Sequence, residues 1–188
     1  SGWSTLGGIF AMSKVLAIDT STSRTCVAII DGSEVIYSGF RDGATAHGPS
    51  LPLLVQEALA ISNVDEVVVG MGPGPFTGLR VGIAFAHSFA LAREIPVRGV
   101  CSLDAIAAQV TDKDFIITVD ARRKEVYWAR YTHGVRVGEP AVNFPADVSG
   151  AEIHADLFPD MVALVNLPGN IFEPIYLRRP DAVATADR

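Results

Sequence analysis

The sequence predicts an α/β fold with a mixed sheet and a shortened second half, on three observations. Three apolar strand patterns follow one another with short turns near the start of the chain, which is typical of an antiparallel meander. Two helical patterns then alternate with two further strands, up to about residue 100. A second, shorter series of a helix and strands follows, and from residue 134 onward the periodic signals weaken.

The meander is predicted over strands 15–18, 26–30 and 34–40. The turn between the second and third strands is Asp31-Gly32, a dipeptide typical of tight hairpins.

The first helix is predicted over residues 50–61 and the second over 78–92. In the first, apolar residues recur at helical spacing, and Pro49 and Pro52 fit only its first turn. A strand at 66–70 leads through a Gly-Pro loop to the second helix, for which Thr77 is a competent N-cap.

The remaining elements are a strand at 97–100, a short helix that Ser102 caps and that runs through residue 110, and strands at 115–119 and 125–131. Beyond residue 134 we expect one helix, near 155–165, and a last ordered segment at 175–178. We divide the chain into a tag or disordered lead-in at 1–11, a first half at 12–101 and a shortened second half at 102–188, with a frayed tail at 181–188.

Three strands, helix, strand, helix, strand is the order of the ribonuclease H-like half-domain. Actin-like ATPases and sugar kinases, the ASKHA group, use this half-domain. Because a fold alone does not give a function, the chemistry has to be argued from particular residues.

The second helix is apolar on almost every side. Gly78, Gly82, Ala86 and Ala90 recur every four residues and form a stripe without bulk. A helix with little polar surface must be covered on more than one side, and we expect a partner protein to cover this stripe. The predicted interface comprises Leu51, Leu54, Val55, Ala58, Leu79, Gly82, Ile83, Ala86, Phe89 and Ala90.

Two stretches are candidate phosphate sites of an actin-like fold. Asp19, Thr20 and Ser21 follow the first strand, and Asp120 ends a later one; in a working ATPase such an acid organises magnesium. The first loop has no glycine, so the residues predict at most weak, vestigial nucleotide binding and no required cofactor. The alternative hypothesis is a phosphotransferase that uses Asp19 and Asp120.

The second stretch is the loop 72–78. A glycine-rich turn before a helix can bind an anion, but no Gly-Lys-Ser/Thr follows, and prolines remove backbone donors. We therefore favour a structural role for the glycines and expect Phe76 to plug the core. The structural set is Gly72, Gly74, Phe76 and Gly78.

Composition excludes several other classes. The formal net charge of −6 argues against direct binding of nucleic acid, which usually needs a basic patch. No apolar run is long enough to cross a bilayer. The four histidines and two cysteines lack metal-ligand spacing, and no nucleophile elbow is present. Buried, reduced cysteines are typical of the cytosol, so we expect a cytoplasmic protein with no metal and no catalytic residue of its own.

Four segments together resemble the bacterial TsaB (YeaZ) family, whose members are subunits of the machinery for tRNA threonylcarbamoyladenosine biosynthesis. These segments are 16–21, 72–82, 120–127 and 176–178. The resemblance covers residues 14–131 well and the tail only at its end. This chain departs from the family in having Pro75 where Ser is common, and in a short region between 131 and 175.

The resemblance implies a non-catalytic subunit. In that family, TsaB pairs with a related catalytic subunit, TsaD, and with an ATPase, TsaE. The complex transfers a threonylcarbamoyl group to adenosine 37 of tRNA. TsaB also self-associates through the two helices that correspond to 50–61 and 78–92 here. The implied partners are therefore a TsaD-type subunit, a TsaE-type ATPase and a second copy of the chain, with tRNA met only through the complex.

Overall fold

The computed structural model describes residues 13–178, and the predicted lead-in at 1–11 and tail at 181–188 lie outside this range. The strands are β1 Lys14–Asp19, β2 Arg24–Asp31, β3 Glu34–Asp42, β4 Glu66–Gly70, β5 Val97–Val100, β6 Asp114–Asp120, β7 Val126–Thr132, β8 Val135–Asn143 and β9 Glu152–His154. The helices are α1 His47–Ile61, α2 Phe76–Arg93, α3 Ser102–Ala107 and α4 Met161–Asn166, with a 3-10 turn at Pro145–Asp147.

The first sheet has five strands in the order β3-β2-β1-β4-β5. The β1–β2 and β2–β3 pairs are antiparallel, whereas β4 pairs with β1 and with β5 in parallel. This order and these directions are the ribonuclease H-like topology, so the predicted fold class is confirmed.

The second sheet repeats part of this plan. Its order is β8-β7-β6-β9, with β9 parallel to β6, which matches the first four positions of the first sheet. Where α1 stands in the first half, the second half has only the 3-10 turn. The expected shortening is therefore visible, while the boundary at residue 101 stays a prediction.

The core has three clusters. One lies between α1, α2 and the first sheet, and a second lies between the opposite face of that sheet and α4. The third lies between α3 and the inner face of the second sheet. Because α3 also contacts α4, apolar packing is continuous from one sheet to the other.

The segment that follows α4, residues 167–178, ties the C-terminal part of the chain to the first sheet. We call it the strap. The backbone N–H of Ile171 donates to Gly99, and that of Ile175 donates to Met71, at the parallel edge of the sheet. Arg98 of β5 donates to the carbonyl oxygens of Val165, Leu167 and Gly169.

The predictions beyond residue 134 were the least accurate. The expected helix at 155–165 is a loop followed by the six-residue α4, and the nine-residue β8 was missed. Ser102 does not cap α3, because the N-cap position is Cys101. Thr77 does not cap α2 either, since that helix begins at Phe76 after Pro75.

Candidate functional site

The first predicted phosphate loop is closed by contacts within the chain. The Asp19 carboxylate is fully buried and accepts hydrogen bonds from the backbone N–H of Ser21 at 2.9 Å, from the Ser21 hydroxyl at 2.7 Å and from the Ser102 hydroxyl at 2.6 Å. Burial raises the pKa of Asp19 above its usual value, against the lowering effect of these hydrogen bonds. A Cβ at Gly70 would lie 1.8 Å from its Oδ2 atom, so β4 closes the remaining side.

Thr20 joins this loop to α2. Its hydroxyl donates to the carbonyl of Gly78 at 2.7 Å and accepts from the backbone N–H of Gly82 at 3.0 Å. A Cβ at Gly82 would lie 2.5 Å from the Thr20 hydroxyl oxygen. A side chain on Gly82 would therefore collide with the loop of the same chain.

His47, at the start of α1, fills the neighbouring space. Its Nδ1 atom is 2.8 Å from the Thr25 hydroxyl, and a Cβ at Gly78 would lie 2.9 Å from the imidazole Cδ2 atom. Burial lowers the pKa of His47. The imidazole is thus a packing residue between α1, β2 and α2.

These contacts overturn the expectation that a partner covers the small-residue stripe. Gly82, Ala86 and Ala90 face the chain's own core and are buried, because their lack of bulk admits the Thr20 loop and the sheet. Nine of the ten predicted interface residues are buried in the single chain, and only Phe89 is partly exposed. The buried nine are Leu51, Leu54, Val55, Ala58, Leu79, Gly82, Ile83, Ala86 and Ala90.

The loop 72–78 packs on the first loop. A Cβ at Gly74 would lie 2.6 Å from the carbonyl oxygen of Ser21, and Gly72 has a positive φ of 92°, a conformation that favours glycine. Phe76 is only half-buried and packs its ring against Tyr176, 4.8 Å between centroids. Phe76 thus stands at the wall of a cleft rather than in the core.

That cleft lies between the two halves and has a volume of about 650 Å³. The α2 N-terminus and the β3–α1 loop form one wall, and the β6–β7 turn with the end of the strap forms the other. Its charged lining is basic, from Arg122, Arg123 and Arg178. Exposed guanidinium groups beside a helix N-terminus suit an anion.

The second predicted acid does not point at the first. Asp120 is exposed and accepts from the backbone N–H of Arg122 at 2.9 Å, whereas Asp19 is covered. The structure therefore does not present the two carboxylates on one surface. Within residues 13–178, no group of three or more His, Cys, Asp or Glu side chains could hold a metal ion.

Sequence reasoning missed the roles of three residues. Ser102 was read as a helix cap, but it donates to Asp19 and accepts from the backbone N–H of Gly72. His47 was not singled out as a packing residue, and Arg178 was quoted only as part of a motif. Each acts through partners 22 to 83 positions away, which no local pattern reveals.

The fold and the cleft define a ribonuclease H-like protein with two unequal halves that face each other across a basic cleft. The model of the family described as TsaD, tRNA N6-adenosine threonylcarbamoyltransferase, matches residues 42–167. The chain therefore belongs to this family, and its named relatives are TsaB, or YeaZ, proteins.

An uncharacterized protein of Mycobacterium tuberculosis is 44% identical over 201 residues, covering 91% of this chain and 94% of the relative. The tRNA threonylcarbamoyladenosine biosynthesis protein TsaB of Escherichia coli is 34% identical over 127 residues, covering 63% of this chain and 54% of the relative. The chain thus matches only about half of that protein. Among solved structures, YeaZ from Pseudomonas aeruginosa has a TM-score of 0.71 at 27% identity, covering 82% of this chain and 89% of that one.

In the described part of the chain, no helix combines the length and the apolar character that a membrane span requires.

Proposed function

We propose that this chain is a non-catalytic scaffold subunit in the biosynthesis of threonylcarbamoyladenosine at position 37 of tRNA. In this proposal it pairs with a TsaD-type subunit that carries the active site, and a TsaE-type ATPase joins the pair. It meets tRNA only through the complex. The family match and the names of the relatives support the pathway.

The state of Asp19 is the observation that carries the non-catalytic role. In a phosphotransferase of this fold, an acid at the end of the first strand must face the cleft to organise magnesium. Here that carboxylate is 0% exposed and accepts three hydrogen bonds from Ser21 and Ser102. Freeing it would leave a serine hydroxyl without its acceptor, which is costly in a buried site. The residue therefore serves the architecture of the loop.

Because the small-residue stripe is buried in the single chain, a partner has to contact other residues of α1 and α2. The outward sides of α1 and α2 carry Leu53, 57% exposed, Ile61, 60% exposed, and Leu91, 80% exposed. Val81 and Phe85 of α2 are half-buried and keep part of their apolar surface exposed. Large apolar side chains exposed on adjacent helices are typical of an interaction site, so we propose that the partner packs on these outward sides.

Reconstitution tests this proposal. The chain, a TsaD-type subunit and a TsaE-type ATPase from the same organism are mixed with ATP, a threonylcarbamoyl donor and unmodified tRNA. The modified nucleoside is then measured by mass spectrometry of digested tRNA. We expect product only when the chain and the catalytic subunit are both present. Equal product without the chain would contradict the scaffold role.

The surface is tested by Leu91→Glu, which places a charge at the proposed interface. We expect loss of co-elution with the catalytic subunit and at least a tenfold fall in product, because a desolvated, unpaired charge is strongly unfavourable at an interface. The melting temperature should stay unchanged, since Leu91 is exposed. The matched control is Val135→Glu on β8, where Val135 is 68% exposed. This variant should still co-elute with the catalytic subunit and give the same amount of product.

The phosphotransferase alternative makes the opposite prediction for nucleotide binding. It requires micromolar, magnesium-dependent binding of ATP that is lost in Asp19→Ala. Calorimetric titration of the folded chain would detect such binding, and a positive result would replace the scaffold proposal.

A further inference from the structure

The turn between β6 and β7 has an unusual backbone. Arg122, Arg123 and Lys124 all have positive φ angles, of 61°, 53° and 63°. Residues other than glycine rarely adopt this left-handed conformation, and three in succession are stable only where the surroundings hold them. All three side chains are exposed, so burial of these side chains does not hold the turn.

Hydrogen bonds within the turn stabilise this backbone conformation in part. The backbone N–H of Glu125 donates to the carbonyl of Arg122 at 3.1 Å, and that of Ala121 donates to Glu125 at 2.9 Å. The Asp120 carboxylate accepts from the backbone N–H of Arg122. These bonds close the turn, but none of them uses the carbonyl oxygen of Ala121.

Arg178, at the end of the strap, completes the arrangement from outside. Its Nη1 atom donates to the carbonyl of Ala121 at 2.5 Å. Its Nη2 atom donates to the carbonyl of Arg122 at 3.3 Å and to the carboxylate of Glu125 at 2.8 Å. One guanidinium therefore spans both ends of the left-handed turn, which the planar fork of arginine can do and the single ammonium of lysine cannot.

The strap lies against the first sheet and α2 before it reaches the turn. The backbone N–H of Ile175 donates to Met71 at the end of β4, and the Tyr176 ring packs on Phe76, the first residue of α2. The position of Arg178 is thus set by the first sheet and by α2, while its acceptors belong to the turn between β6 and β7.

We propose that Arg178 is a positioning residue that locks the turn 122–124 in its left-handed conformation, so that Arg122 and Arg123 line the cleft. Removing the guanidinium leaves two turn carbonyls and the Glu125 carboxylate without this donor. The turn then relaxes toward ordinary right-handed or extended backbone, and its basic side chains leave the cleft wall. This inference concerns the isolated chain and does not depend on the proposed function.

Tryptic digestion of the native chain measures how readily the turn opens. Trypsin cleaves after Arg and Lys where exposed chain can open locally, and the turn offers three such sites in succession. We compare the initial cleavage rates at 122–124 and after Arg93, at the exposed end of α2, by mass spectrometry. In Arg178→Ala we expect at least a tenfold faster cut at 122–124 and an unchanged rate after Arg93.

Arg178→Lys keeps the charge and should give an intermediate rate at 122–124. The same variant keeps the inference testable if Arg178→Ala does not fold, and faster hydrogen exchange in peptides that span 121–126 is its second readout. Equal acceleration at both sites would mean that Arg178 only stabilises the whole fold. Unchanged cleavage and exchange in the turn would also overturn the proposal.

Discussion

At the scale of the residue, the contact between Thr20 and Gly82 decides how α2 is oriented. A helix stripe of small residues is compatible with a close partner or with a close loop of the same chain, and the sequence pattern is the same for both. Here the Thr20 hydroxyl reaches the backbone of α2 at Gly78 and Gly82. The small residues are therefore needed for folding of the single chain.

Substituting Gly82 tests this orientation, because the two alternatives predict changes in stability of opposite sign. On an open helix face, Gly→Ala stabilises by up to about 1 kcal/mol through helix propensity. Against the Thr20 hydroxyl, the added Cβ should instead destabilise by about 1–3 kcal/mol through overpacking. We expect Gly82→Ala to lower the free energy of unfolding in urea.

Gly48→Ala is the matched control for this measurement. Gly48 lies in the first turn of α1, and apart from its chain neighbours and the backbone of its own helix nothing lies within 4 Å of a Cβ built there. We expect a change of less than about 1 kcal/mol, because the gain in helix propensity is set against the restriction that Pro49 places on the residue before it. Equal stabilisation by both substitutions would mean that Thr20 does not occupy the space beside Gly82.

His47 predicts a pH dependence of stability. Its pKa is lowered by burial from the ordinary value of 6.5, so the unfolded chain takes up a proton more readily than the folded chain. Stability is then complete above pH 6.5 and is lost as the pH falls below that value. In His47→Gln the loss of unfolding free energy between pH 7 and pH 5 should be smaller than in the native sequence.

The effect of His47 is obtained by comparing how steeply the unfolding free energy depends on pH in the native sequence and in His47→Gln. The raised pKa of Asp19 acts with the opposite sign, because a carboxyl that protonates more readily when folded favours the fold as the pH falls. That contribution is present in both proteins, and the substitution removes from it only the electrostatic effect of His47 on Asp19, which is the weakest cause of the Asp19 shift. Identical slopes in both would exclude a role for His47.

At the scale of the element, the sequence predicted strands and helices correctly where the apolar residues follow one clear pattern. The strands β1, β2 and β4 are buried along nearly their whole length, and continuous apolar runs of this kind are typical of a central sheet. The two long helices were also predicted, with ends displaced by a few residues. These elements establish the order of the first half and thus the fold class.

The missed strand shows why the second half was harder. In β8 four of nine residues are exposed and only one is buried, and Gly138 with a positive φ interrupts the strand. An edge strand with a bulge and little burial has no alternation to detect. The candidate site shared this difficulty, because the cleft is assembled from Phe76, Arg122 and Arg178, which are far apart in sequence and in different elements.

At the scale of the whole molecule, the strap makes the two halves one unit. The second half is small: its sheet has four strands, and the six-residue α3 covers the inner face of that sheet together with Ile171 and Ile175 of the strap. The strap returns from the end of α4 to β5 and β4 and then reaches the β6–β7 turn. Loss of the strap contacts should therefore loosen both halves together.

Arg98 is the side chain that fastens the strap where it begins. Its guanidinium donates to three carbonyl oxygens between Val165 and Gly169, at 2.6–3.0 Å, and lies 3.7 Å from the Glu66 carboxylate. Hydrogen bonds that involve a charged group contribute about 1.5–3 kcal/mol each, and losses within one cluster are less than additive.

We expect Arg98→Met, which keeps the apolar stem, to cost about 3 kcal/mol and to lower the melting temperature by about 6–12 °C, at roughly 2–4 °C per kcal/mol for a chain of this size. Arg41→Met is the control, because Arg41 pairs with Glu57 on the surface and such pairs contribute about 0–1 kcal/mol. Calorimetry should still show one transition in Arg98→Met, since α3 keeps the apolar packing continuous between the sheets. Two separate transitions would mean that the strap alone unites the halves, and an unchanged melting temperature would mean that Arg98 does not fasten it.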